Sequence, residues 1–152
     1  MDVTKIVQSI QYVLAPAVMV SSAALLLLGY QNKFSNLASR FRALNHERRL
    51  LSQKISRDPL EETRLQNLIE QIDQLMQRAN HVKNAIVLAY FSIISFTGAS
   101  FLIFLNVYAF FRIYHVIFVI FFLGLLALLN SAILMTRESW LSYRIIALES
   151  RS

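Results

Sequence analysis

Three histidines, His46, His81 and His115, are the first residues to test for chemistry, because imidazole is the usual general base and metal ligand near neutral pH. None has a second His, Asp or Glu at ligand spacing within an apolar run. The chain has no Cys, so neither a thiolate metal site nor a disulfide framework is expected. Nothing in it resembles a nucleophile beside its base, a phosphate loop or a dinucleotide fingerprint. The expectation is a protein that is not an enzyme and carries no cofactor or metal.

The other chemically capable groups are neutral and lie inside apolar stretches. Ser92, Ser95, Ala99 and Asn106 fall along one helical face, and Asn130 and Ser131 interrupt a later stretch. Such groups either bond between packed helices or line a polar passage enclosed by several subunits. No Asp, Glu, Lys or Arg lies within the apolar stretches, which argues against a proton-coupled transporter. Arg112 and His115 would sit at the outer mouth of a passage, with Lys83, Lys33 and Arg78 at its other end. Basic side chains at both ends with no acidic ring predict a weakly selective or anion-preferring pore.

These groups need helices to hold them, and the composition supplies helices. Over 152 residues, 56% are hydrophobic, with only 3 Gly and 2 Pro. That is too apolar for a soluble domain of this size and too poor in turn formers for a sheet fold. An all-α polytopic membrane protein with three transmembrane helices is expected. Uncharged runs extend from Tyr12 to Tyr30, from Asn84 to Phe111 and from Ile113 to Thr136. The shortest covers about 27 Å, close to the hydrocarbon thickness of a bilayer. Tyr12 and Tyr30 supply interfacial rings to the first run. NVYAFFRIYH, residues 106–115, reads as a tight interfacial turn. The resulting division is 1–30 for the N-terminal segment and first span, 31–83 for a polar segment, 84–136 for the other two spans, and 137–152 for a tail.

The formal charge of +6 is unevenly placed. Ten basic residues lie from Lys33 to Lys83 and three more after Thr136, leaving only Lys5 and Arg112 elsewhere. The positive-inside rule then puts the N-terminus outside and both the 31–83 segment and the tail in the cytoplasm. This distribution fits lipid contact, and no nucleic-acid partner is expected. Asp2 and Lys5 give the N-terminus no net positive charge, so the first span is expected to be retained, not cleaved as a signal peptide.

Residues 31–83 are polar but periodic. Leu65, Leu68, Ile72, Leu75, Ala79 and Val82 repeat at alternating spacings of three and four, as do Leu37, Phe41, Leu44, Arg48, Leu51 and Ile55. Between them, SRDPLEE offers Asp58 as a cap, Pro59 at the first helical position and Glu61 three residues after the cap. Folding the arms back about this turn sets Leu51 against Leu65, Leu44 against Ile72, Phe41 against Leu75 and Leu37 against Ala79. A long cytoplasmic antiparallel helical hairpin is therefore predicted. Arg48 falls opposite Leu68, where its stem could snorkel or face another subunit. In the first span, Pro16 predicts a bend, and Ala17, Ser21, Ala24 and Leu28 form a small-residue packing seam.

Two stretches, LAPAVMVSSAALLLLGYQNKFSNLASRFRALNHERR and RLQNLIEQIDQLMQRANHVKNAIVLAY, resemble the bacterial membrane family catalogued as domain of unknown function 2721. The resemblance implies the fold and a bacterial inner-membrane location. It carries over no functional residue. The expected function is a homo-oligomer in the lipid bilayer enclosing a pore. The alternative is a membrane-anchored scaffold or adaptor whose basic coiled-coil hairpin binds anionic lipid or a cytoplasmic protein partner.

Overall fold

A computed structural model of the chain describes residues 3–53, 58–109 and 114–149. Among the described residues there are three α-helices and no strand: α1 (Val3–Ser52), α2 (Pro59–Ala109) and α3 (Tyr114–Glu149). Each is long and apolar enough to cross a membrane, which suggests a membrane location. Outward-facing aromatic and aliphatic side chains agree: Phe101, Ile94 and Phe118 are each more than 60% exposed, a cost that lipid removes and water would not.

The helices are long because little in the sequence stops them. α1 runs unbroken through Pro16, although that residue cannot donate to the carbonyl of Tyr12. One turn further on, the Ser21 and Ser22 hydroxyls donate to the carbonyls of Ala17 and Val18. At its far end Gln53 N–H and Ser52 Oγ both donate to the Arg49 carbonyl. α2 starts where SRDPLEE predicts. The Asp58 carbonyl accepts from the N–H groups of Glu61 and Glu62 at 2.9 and 3.1 Å, Pro59 opens the helix, and both glutamates face its positive end. The polar arm and the apolar run then form one helix. α3 does not end at Thr136, because no Gly or Pro follows Gly124, and the expected tail continues it to Glu149. Arg112 and the centre of the expected interfacial turn, residues 110–113, lie outside the described residues, while 106–109 belong to α2 and 114–115 to α3.

α2 is the central element: α1 and α3 each pack along it and scarcely touch one another. One core gathers Leu27 and Tyr30 of α1, Ala85 and Ala89 of α2, and Leu134 and Met135 of α3. A second joins Leu37, Phe41 and Leu44 to Leu75, Ala79 and Val82. Of the expected arm seam, Leu37, Leu65, Leu68 and Leu75 are buried, while Phe41, Leu44, Leu51 and Ile72 are half-buried. Arg48 is half-buried as well. Tyr30, expected as an interfacial ring, is buried against α2.

Candidate functional site

The polar and small residues of the spans meet in one seam between α2 and α3. On α2 the seam repeats every seven residues through Arg78, Ala85, Ser92 and Ala99 to Asn106. On α3 it passes through Gly124, Ala127, Ser131 and Glu138, and Ala85, Ser92, Ala99, Ala127, Ser131 and Glu138 are all buried. Small side chains on both sides let the backbones approach closely. At Gly124 the approach is closest: an added Cβ would lie 2.9 Å from Ser95 Cβ and 3.1 Å from the Phe96 ring. Phe96 packs against Phe121 beside it, ring centroids 5.4 Å apart.

The hydroxyls are used within the subunit. Ser131 Oγ crosses to the Ala85 carbonyl at 2.7 Å, an interhelical bond of the kind worth about 0.6 kcal/mol in a bilayer. Ser92 and Ser95 bond along their own helix, to the carbonyls of Ala89 and Phe91. An interhelical bond is expected for these two from their residue type, but in apolar surroundings the carbonyl three or four residues back lies nearer than any partner on α3. Asn130 donates to Leu126 on the exposed side of α3. Asn106 closes the seam, its Oδ1 buried and without a hydrogen-bond partner among the described residues.

At the other end of the seam lies an ionic crossing of all three helices. Arg78 Nε donates to Glu138 Oε1 at 2.9 Å, with the carboxylate side chain only 2% exposed. From α1, Lys33 Nζ donates to Ser139 Oγ at 3.0 Å. Lys33 stands three residues past the apolar run ending at Tyr30. Its burial, the largest influence, lowers the ammonium from its ordinary range; Glu138 raises it and Arg78 lowers it further. Glu138 has no place among the residues expected to act. One signal marks it: it is the only acid between Asp73 and Glu149, and it stands seven residues after Ser131 on the same helical face.

The first span turns its expected small-residue seam outward. Its contact face is Pro16, Ala23, Leu27 and Tyr30, whereas Ala17, Ser21, Ala24 and Leu28 are exposed on the side away from α2. Leu27 and Tyr30 fill the width between helices that small residues would have closed. His46, His81 and His115 are exposed, and among the described residues no three His, Asp or Glu converge as a metal site.

The arms differ in charge. Residues 31–53 carry Lys33, Arg40, Arg42, Arg48 and Arg49 against Glu47, while residues 58–83 carry Asp58, Glu61, Glu62, Glu70 and Asp73 against Arg64, Arg78 and Lys83. Arg64 Nε donates across the arms to Glu47 Oε1 at 3.0 Å. Arg40, Arg42 and Arg49 are exposed on one arm, Glu70 and Asp73 on the other.

A family model described as "Protein of unknown function (DUF2721)" matches residues 13–148. No curated protein and no solved structure matches the chain.

Proposed function

On the premise that the chain belongs to that family of unknown function, we propose that it is a non-enzymatic membrane scaffold that self-assembles through the polar arms of α1 and α2. The observation that carries this reading is where polarity is spent. Ser92, Ser95, Ala99 and Ser131 are turned inward against a neighbouring helix, which counts against a passage lined by them. The arms, in contrast, keep charges of opposite sign on their outer faces.

In this reading the arms form an antiparallel hairpin in the cytoplasm of a bacterial cell, with the N-terminus outside the inner membrane. The basic residues of 31–83 support the orientation. The pairs Gln31 with Tyr90, Leu37 with Leu75 and Glu47 with Arg64 support the hairpin. Labelling of a cysteine placed at Asp58 is expected only after the membrane is opened to the reagent. Labelling from the periplasmic side of intact cells would refute the orientation.

A basic arm on one side and an acidic arm on the other make the hairpin complementary to a second copy set beside it. Such contacts are head-to-tail and close into rings or extend into rows. Exposed ion pairs contribute about 0.2–1 kcal/mol each, so several together shift association about tenfold. Arg42→Glu with Arg49→Glu is expected to dissociate the purified assembly, as is Glu70→Lys with Asp73→Lys. Mixing the two variants should restore association. The reading is lost if mass measurement in mild detergent finds only monomers for the unmodified protein, or equal assembly in all samples.

A further inference from the structure

We infer that the crossing of Lys33, Arg78, Glu138 and Ser139 is a binding site for a phosphate group, supplied by an anionic lipid of the leaflet that faces the polar arms. Its depth is right for a headgroup. Lys33 lies three residues beyond Tyr30, Glu138 two beyond Thr136 and Arg78 six before Asn84. At about 1.5 Å of rise per residue, all three stand within about 9 Å of the end of the apolar band.

The charge balance calls for an anion. Glu138 is almost fully buried and its carboxylate accepts from the Arg78 guanidinium, so that acid compensates that base. Lys33 makes the crossing net positive, and its hydrogen-bond acceptor is a neutral hydroxyl, Ser139 Oγ. Partial burial already disfavours the ammonium, and a phosphate alongside would restore it. Exposed Lys83 and Arg137 add positive field from the same level.

The crossing can also be reached. α1 and α3 flank α2 while scarcely touching each other. Lys33 reaches from α1 to Ser139 on α3, which is exposed, and Lys33 itself is half-exposed. A phosphate oxygen entering there would accept from the ammonium and from the Ser139 hydroxyl. That hydroxyl now accepts from Lys33 and keeps its own proton to donate. Lysine suits the task as a point charge that needs no bidentate geometry. The inference needs a membrane location but not self-assembly, so it survives failure of the assembly test.

The test compares the full-length protein in mild detergent with phosphatidylglycerol, phosphatidylcholine or inorganic phosphate, read by thermal stabilisation and by lipid retained in native mass spectrometry. Phosphatidylglycerol is expected to stabilise and be retained, and phosphatidylcholine not. Lys33→Gln should weaken phosphatidylglycerol binding about tenfold, as loss of a charged hydrogen bond does, and Lys33→Arg should keep most of it. Ser139→Ala, which leaves every charge in place, should weaken it less, and circular dichroism confirms that each variant is folded. Arg42→Gln with Arg49→Gln, on the exposed arm, should leave binding unchanged. Equal binding by Lys33→Gln, or equal loss in the arm variant, overturns the site. Stabilisation by inorganic phosphate alone, abolished by Lys33→Gln, would keep the site and overturn the lipid as its source.

Discussion

Replacing Glu138 by alanine is expected to cost the folded protein about 3–5 kcal/mol. The carboxylate is 2% exposed and accepts from an Arg78 side chain that is itself only 19% exposed, with Lys33 close by. Without it, Arg78 and Lys33 lose the counter-charge set between them, and moving Arg78 to water would break the seam. The double replacement Arg78→Met with Glu138→Leu should recover most of the loss, since breaking a buried pair costs far more than exchanging it for apolar groups of similar size. At this chain length 1 kcal/mol corresponds to about 2–4 °C, so Glu138→Ala should unfold about 10 °C lower in detergent. Glu70→Ala, at an exposed position on the arm, is the comparison. A Glu138→Ala melt no lower than that of Glu70→Ala would show that the crossing does not hold the helices together.

Gly124→Leu is expected to separate α3 from α2. The first atom of any side chain there meets Ser95 Cβ at 2.9 Å, and that atom is fixed to the α2 backbone and cannot swing away. The helices must move apart, loosening the Phe96–Phe121 contact and the bond from Ser131 to the Ala85 carbonyl. Overpacking of this kind costs about 1–3 kcal/mol, and a leucine lies at the upper end. Gly98 gives the opposite outcome: nothing lies within 4 Å of its missing Cβ, and Gly98→Ala should stabilise α2 by up to about 1 kcal/mol through helix propensity. Because the chain has no cysteine, a pair introduced at Ser131 and Ala85, where the two helices meet, reports the α2–α3 distance through its cross-linking yield. Undiminished cross-linking in Gly124→Leu would mean that the seam tolerates a side chain there.

These two positions show where the sequence speaks and where it is silent. The arms are amphipathic, so Leu65, Leu68, Ile72 and Leu75 stand out against Gln, Glu and Asp, and their inward face is legible from residue order alone. Inside the spans nearly every residue is apolar, and period alone cannot tell the helix-facing side from the lipid-facing side. Small and polar residues are the remaining signal. They coincide with the α2 face of Ser92, Ser95 and Ala99, which is buried; on α1, Ala17, Ser21 and Ala24 point outward, and Leu27 and Tyr30 make the contact within the subunit. Glu138 is hidden for a different reason. A charge next to Thr136 looks like the end of a span, yet no helix breaker follows, and the same face carries on into an ionic contact.

The absence of any joint between span and arm has a mechanical consequence. α1 is 50 residues long, about 75 Å, and α2 is its equal, so each passes from the apolar band to the arm tip as a single rod. The tip at Ser52 stands 22 residues beyond Tyr30, about 33 Å, and a rod of that length turns a 10° change of span tilt into about 6 Å of sideways travel. Helices tilt to match bilayer thickness. In a bilayer the arms would therefore act as levers, a change of thickness that tilts the spans being carried to their far end as displacement.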